Sequence, residues 1–255
     1  GKNGKEIWQK NLSKKMEGRI FVEKLGVKTP ILYWSGTDVN SIPLFSELPN
    51  KFVLKPDRGY SAKNVFCLIK QKNGFLNYLD NKIYDREKII ELILQDESMF
   101  GINKRRPTIM IEELLEPEEK QLSDQIPRDF KFYCFGGKIT LVLVVLRVSS
   151  IDTTLNHFQY FDVDFNPIYA KIMKSKKIIR DFVPKPDCWG EMVNYVKKIG
   201  EELDIFMRID MFATKKGAVF GEFTPTPHGG KGYSEFADKY LGSNYNEHGG
   251  QVLLS

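Results

Sequence analysis

Arg208-Ile209-Asp210 and Glu222-Phe223-Thr224 stand on either side of Lys215-Lys216-Gly217, and this arrangement constrains the fold more than any other stretch of the chain. Side chains alternate along a strand, so each triplet sets its two polar residues on one face and its apolar residue on the other. A three-residue turn over Lys215, Lys216 and Gly217, with Gly217 left-handed, places Asp210 opposite Glu222 and Arg208 opposite Thr224. A two-residue turn would instead set Asp210 against Gly221. Directly opposed carboxylates destabilise a sheet unless a positive charge lies between them. Carboxylate and hydroxyl oxygens suit a hard divalent cation, so Asp210, Glu222 and Thr224 are candidate ligands for Mg2+.

A second stretch carries the complementary chemistry. Phe52-Val53-Leu54-Lys55 reads as an apolar strand that delivers a lysine into the loop Pro56-Asp57-Arg58-Gly59-Tyr60-Ser61. Lys55 can offset a polyphosphate, Gly59 permits close backbone approach, and Ser61 offers a hydroxyl and an N–H. Further along, Asp129 and Lys131 alternate with Phe130 and Phe132, so the charged pair shares one face while the rings pack behind the sheet.

Composition excludes several classes. At 255 residues and 42% hydrophobic content, the chain can bury a sizeable core as one domain with subdomains or as two small domains. The apolar run Ile139 to Leu146 is too short to span a bilayer and reads as a buried strand, so no membrane span is expected. Cys67, Cys134 and Cys188 share no metal-ligand spacing, and no signal peptide is expected, which together suggest reduced thiols and a cytoplasmic setting. The net charge of +5 is mild and the basic residues are not interleaved with aromatics, so no nucleic-acid partner is expected. Lys171, Lys174, Lys176, Lys177, Arg180 and Lys185 form a basic cluster that either attracts an anionic substrate or is a solvated face.

The order of elements reads as α+β. Apolar positions between Lys5 and Leu25 fit one helix ending at Gly26. Strands follow at Ile31 to Trp34, up to Lys55, at Val65 to Ile69 and at Ile109 to Ile111, with an amphipathic helix from Asp85 to Gln95. The second half is mostly antiparallel: a hairpin with a Gly136-Gly137 turn joins Phe130–Phe135 to Lys138–Arg147, and a strand spans Phe158 to Val163. Asp187 can cap a helix whose buried face is Met192, Val193, Val196, Ile199 and Leu203.

Five segments in this order carry a resemblance. Lys15 with Arg19, Phe21 and Val22; Leu48 to Lys55; the hinge at Glu112; Asp129-Phe130-Lys131-Phe132-Tyr133-Cys134-Phe135-Gly136-Gly137-Lys138; and Phe220 to Pro227 are similar to the motifs of ATP-grasp proteins, and within them of the TupA-like group named for teichuronopeptide biosynthesis. The resemblance implies two α+β subdomains gripping ATP between them, after a short helical pre-grasp segment. It divides the chain into residues 1–47, a small subdomain 48–114, and a larger one 115–255 carrying the metal hairpin.

The resemblance also implies roles. Lys15, Lys55 and Lys131 contact ATP phosphates under the loop that holds Gly59 and Ser61. Glu112 holds the adenine by its side chain, with Glu113 and Leu115 acting through their backbones. Asp210, Glu222 and Thr224 hold Mg2+, although many ligases of this fold carry asparagine in place of Thr224. Arg208, Lys55, Lys131 and Arg147 act on the transferring groups. The implied activity is ATP-dependent ligation of a carboxylate to an amine through an acyl phosphate, on an anionic small molecule or glycan. The alternatives are a kinase on the same scaffold and a nucleotide-binding module without turnover. The family further suggests a homodimer, and the flexible run His228-Gly229-Gly230-Lys231-Gly232 is suited to lining an acceptor pocket.

Overall fold

The computed structural model describes residues 8–58, 64–95, 107–118, 126–146, 156–175 and 182–247. Gly59, Ser61, Lys176, Lys177, Arg180 and Arg147 lie outside them. Contacts group the chain into two bodies, Pro30–Leu115 and Gly1–Thr29 with Glu116–Ser255, so the first 47 residues contribute to both.

The body Pro30–Leu115 is built on β1 (Leu32–Gly36), β2 (Lys51–Pro56), β3 (Phe66–Gln71), β4 (Gly74–Asn77), β5 (Lys82–Tyr84) and β6 (Ile109–Glu113). They pair in the order β1-β6-β2-β3-β4-β5, every pair antiparallel. Alternation in β2 sends Phe52 and Leu54 into a core with Phe66, Leu68, Ile109 and Ile111, against which Ile89 and Ile93 of α2 (Arg86–Gln95) pack. Phe45, Phe52 and Phe75 meet edge to face there, with centroids 5.0, 5.1 and 5.8 Å apart. The opposite parity, Val53, Lys55, Met110 and Glu112, falls on the other face by register, because Val53 pairs with Glu112 and Lys55 with Met110.

The second body holds β7 (Arg128–Phe135), β8 (Lys138–Leu146), β9 (His157–Phe161), β10 (Pro167–Ile168), β11 (Phe206–Thr214) and β12 (Gly217–Thr224), in the order β10-β9-β8-β7-β11-β12. All neighbours are again antiparallel. One face packs on α3 (Trp189–Leu203) and α1 (Lys15–Lys24): Phe130, Phe132, Met207, Ile209 and Met211 meet Trp189, Met192, Val196, Ile199 and Val22. The other face carries an apolar cluster of Tyr133, Leu141, Leu143, Tyr160 and Tyr233 that receives Ala237 of α4 (Glu235–Glu247). The expected α+β class is therefore what the chain adopts.

Three local expectations need correction. The apolar periodicity before Gly26 is not one helix: Trp8–Ser13 is a 3-10 segment, Lys14 is extended at φ −75° and ψ 128°, and α1 starts after it. Gly18 explains why α1 lies where it does, since a Cβ there would sit 3.0 Å from the Leu12 carbonyl oxygen and 3.1 Å from the Phe223 ring. Asp187 does not cap α3. Cys188 occupies the N-cap without a side-chain bond, and Asp187 instead donates its N–H to Glu118 Oε2 at 3.3 Å.

The third correction concerns the hairpin. The turn is two residues long, Lys215-Lys216, with Thr214 paired to Gly217 at φ +93°. Asp210 nevertheless faces Glu222 and Arg208 faces Thr224, because a bulge between Asp210 and Met211 absorbs one extra residue, Gly221, on β12. The bulge also switches parity. Ala218, Phe220 and Phe223 all enter the helix-side core, with the Phe220 and Phe223 rings 4.7 Å apart, and Glu222 comes to the opposite face. The sequence signal was present: apolar residues at 218 and 220 and then at 223 break the two-residue period at a glycine.

The tip of the hairpin is fastened to α3 and to the end of the first helical region. Glu191 Oε2 accepts the Ala218 N–H at 2.7 Å and its Oε1 accepts Lys28 Nζ at 2.8 Å, while Lys28 Nζ also donates to the Lys216 carbonyl at 3.1 Å. Gly217 is required by its positive φ, and a side chain there would also meet Glu191 Oε2 at 2.4 Å and push it from the Ala218 N–H.

Candidate active site

The face of the second sheet that looks away from α3 gathers most of the charged residues singled out in the sequence. Register sets Asp210 opposite Lys131 on one side and Glu222 on the other, and Arg208 opposite Tyr133 and Thr224. Lys131 Nζ lies 2.5 Å from Asp210 Oδ2 and 2.6 Å from Asp129 Oδ2. Arg208 grips Asp210 with two donors, Nε to Oδ1 at 2.7 Å and Nη2 to Oδ2 at 2.8 Å. Lys15, at the start of α1, points its ammonium at Glu222 Oε2 from 3.7 Å. Asp129, Lys131, Asp210 and Arg208 thus form one linked set of charges, and the Lys15–Glu222 pair stands next to it because Glu222 faces Asp210 across the ladder.

Burial and charge pull against each other here. Burial works to lower the Lys131 pKa, and the carboxylates of Asp129 and Asp210 overcome it, so the value ends above that of an ordinary lysine. Burial likewise disfavours the Arg208 guanidinium, but Asp210 outweighs it and the pKa is raised. Asp210 is 2% exposed, and burial raises its pKa against the opposing pull of Lys131 and Arg208. Three charge-assisted hydrogen bonds on its two oxygens favour the ionised form against that burial.

The donor set fits a cation such as Mg2+. A carboxylate offers about four lone-pair sites. In Asp210, Oδ2 takes two bonds and Oδ1 takes one, which leaves Oδ1 with capacity for a metal. Glu222 is half-exposed and, among the described residues, is held only by the long contact to Lys15, so its carboxylate can turn to a cation with little loss. Among the described residues no group of three carboxylate, imidazole or thiol side chains forms a metal cluster. Two carboxylates plus phosphate oxygens and water is the usual Mg2+ environment at a nucleotide.

In the other body, Lys55 Nζ and Glu112 Oε1 form an ion pair with 15% and 6% of their side chains exposed. A candidate phosphate lysine and a candidate adenine carboxylate are therefore in direct contact. The Glu113 N–H is spent on the Ile31 carbonyl at 2.8 Å, and its carboxylate accepts the Ile31 N–H at 3.3 Å, so a backbone contact from Glu113 to a base has to come from its carbonyl oxygen. Leu115 is buried just beyond the end of β6. Within the basic cluster, Lys185 donates to the Asp164 carbonyl at 3.3 Å and lies 6.0 Å over the Trp189 ring, which makes it part of the scaffold.

Sequence reasoning did not find the Gly221 bulge that brings Glu222 to this face, nor the Lys28–Glu191 fastening of the hairpin tip. Neither did it find α4, which covers part of the same face.

Two antiparallel α+β bodies, one carrying a lysine near the end of a strand and the other presenting an arginine beside two opposed carboxylates, are the parts of an ATP-grasp protein. A family model described as TupA-like ATPgrasp matches residues 2–246, and the chain belongs to that family. No curated protein matches it. Among solved structures, it is similar to the ATP-grasp ligase PsnB bound to a precursor variant, Mg and ADP, at 13% identity and a TM-score of 0.43 over 85% of this chain and 49% of that one. It is also similar to D-alanine–D-alanine ligase from Bacillus anthracis, at 14% identity and a TM-score of 0.49 over 93% of this chain and 68% of that one. The D-alanyl-alanine synthetase A from Vibrio cholerae matches at 13% identity with a TM-score of 0.49, over 93% of this chain and 66% of that one. The chain spans about half the length of the PsnB structures.

Proposed function

We propose that the protein is an ATP-dependent, ADP-forming carboxylate–amine ligase, and that it joins an amino acid to a cell-surface glycan or its precursor. The observation that supports this most is the charged set around Asp210: it combines an arginine, a lysine and two carboxylates that still have coordination to offer, which a purely structural ion pair does not need.

In this reading Lys131 and Lys15 neutralise phosphate oxygens, and Lys55 does so from the body Pro30–Leu115 together with Gly59 and Ser61. Glu112, the Glu113 carbonyl and Leu115 take the adenine. Asp210 and Glu222 would hold Mg2+, with Thr224 beside them. When bound, Mg2+ supplies charge neutralisation on the polyphosphate. The substrate carboxylate attacks the γ-phosphorus and the bond to ADP breaks, giving an acyl phosphate. The amine nitrogen then attacks the acyl carbon, the bond to phosphate breaks, and the proton lost from nitrogen goes to solvent. Arg208 and Arg147 would stabilise the oxyanions that develop in both steps.

The reading is tested by mass spectrometry and phosphorus NMR on reactions holding ATP, Mg2+, a panel of amino acids, and uronic-acid or glycan carboxylates. Free phosphate appearing in step with an amide is the expected result. A phosphate ester or phosphoramidate without free phosphate makes the protein a kinase on the same scaffold and removes the acyl-phosphate step.

A further inference from the structure

A cavity of about 300 Å³ lies within the body that carries the charged set. Its floor is Phe206 and Phe135, paired across β11 and β7 with ring centroids 4.8 Å apart. Its roof is one face of α4, because Asp238, Leu241, Gly242 and Tyr245 recur at the three- and four-residue spacing of a single helical stripe. Pro225 and Thr226, which follow Thr224 directly, close one side, and Tyr233 another. Phe206 precedes Arg208 by two residues on the same strand face, so the cavity begins roughly 7 Å along the strand from the arginine.

The lining has two unlike ends. Phe135, Phe206 and Tyr245 make an aromatic end, with Phe135 and Tyr245 edge to face at 6.3 Å. At the other end Tyr233 and Asp238 line the cavity, and Tyr233 packs in one cluster with Tyr133, the cross-strand partner of Arg208, whose charge it feels. The Asp238 carboxylate accepts no hydrogen bond and makes no ion pair among the described residues; only its backbone N–H is used, by the Ser234 carbonyl at 2.9 Å. A carboxylate at the mouth of an aromatic cavity selects a ligand with an apolar body and a cationic or N–H-donating head.

We propose that this cavity seats the amine substrate, and that the amine is a hydrophobic one: an aromatic or large aliphatic body between Phe206, Phe135 and Tyr245, with its amino group at Asp238 on the side nearest Arg208. The assignment to a substrate rests on the ligase reading; the binding site itself does not. The size agrees, since the volume lies at the low end of small-molecule sites and accommodates one ring with a short chain. The direction agrees as well, because the amino group is left on the side where an acyl phosphate held by Arg208 would be attacked.

Gly242 allows a clean test. A Cβ at this position meets nothing within 4 Å, so Gly242→Leu starts its side chain in open space, extends it into the cavity and adds a better helix former to α4. Binding of phenethylamine, 2-phenylethanol and methylamine to the full chain is measured by ligand-observed NMR without ATP. Phenethylamine is expected to bind at least tenfold more tightly than methylamine. Gly242→Leu should lose at least tenfold in phenethylamine affinity, and Asp238→Asn should lose about fivefold while leaving 2-phenylethanol unchanged. Equal affinity for phenethylamine and 2-phenylethanol overturns the role of Asp238, and unchanged binding in Gly242→Leu overturns the site. The same variants are then assayed for amide formation. Amine binding lost in Gly242→Leu, with no amide made by the unaltered protein, sinks the ligase reading and leaves the amine site standing. Amide formation from hydrophobic amines that Gly242→Leu does not diminish sinks the cavity and leaves the ligase.

Discussion

Strand β7 carries two buried charge clusters on its opposite faces, and they are built differently. On the helix side, Arg128 is tied to its own body: it pairs with Glu118, donates Nη1 to the Pro184 carbonyl at 2.7 Å, and lies 5.4 Å over the Phe130 ring, while Glu118 also takes the Asp187 N–H. Arg128 and Glu118 are 6% and 8% exposed. On the other side, Lys131 shares two carboxylates, Asp210 keeps a lone pair, and Glu222 is held at arm's length by Lys15. A closed pair fixes loops to a strand; an open one has somewhere to put a ligand. Burial is common to both; what separates them is that the second cluster shares its cations among three carboxylates, one of which, Glu222, is half-exposed.

The sharpest way to break this contrast is Glu222→Gln. It should lower ATP-dependent product formation roughly a thousandfold or more while moving Tm by no more than about 2 °C. Full turnover in that variant would mean the open cluster is structural as well. Glu118→Gln should do the reverse, costing about 3–5 kcal/mol in urea unfolding by stranding a buried guanidinium, with kcat kept in the molecules that remain folded. Next in size is Gly221→Val. Its Cβ would stand 3.0 Å from both the Asp210 carbonyl oxygen and the Phe212 ring, so it should cost about 1–3 kcal/mol and lower activity together, because the bulge serves both faces.

The smallest effect belongs to the Lys28–Glu191 fastening, half in solvent, and it carries a pH signature. The bond to Lys28 and the bond from the Ala218 N–H outweigh burial and lower the Glu191 pKa, while the bond to Glu191 raises that of Lys28 above 10.5. A lowered carboxylate pKa gives stability that is present above the unfolded value of 4.5 and disappears as pH falls through the folded value. Glu191→Gln should therefore be about 0.5–1 kcal/mol less stable than the unaltered protein at pH 7, and the gap should close below pH 4 in paired thermal melts. A gap that persists in acid would show that the Ala218 bond, rather than the ion pair, holds the tip.

Much of this was legible in the chain. Alternation placed Asp129 with Lys131 and Arg208 with Asp210, and it put Phe130 and Phe132 behind them, because a two-residue period on a half-buried sheet leaves little choice. The pairing of Asp210 with Glu222 was read correctly from the wrong turn: the chain uses a tighter turn and regains the register at Gly221. Lys14 was folded into a continuous helix because apolar spacing alone cannot see a change of backbone between two helical segments. The cavity under α4 was out of reach, since Phe206, Tyr233 and Tyr245 meet only through tertiary packing and each reads locally as core. The Glu118–Arg128 pair joins a segment after β6 to a strand, and no local pattern announces it.

The position of the bulge, between the turn and the charged face, has a practical consequence. The turn and the register of the charged face are set by separate devices, one at Lys215-Lys216 and one at Gly221, where Phe220 and Phe223 both dock in the core. The hairpin tip can therefore serve as a graft point. A reporter peptide or fluorophore inserted between Lys215 and Lys216 would loosen the fastening to Glu191, but the phase of Asp210 against Glu222 would still be dictated downstream of the insertion.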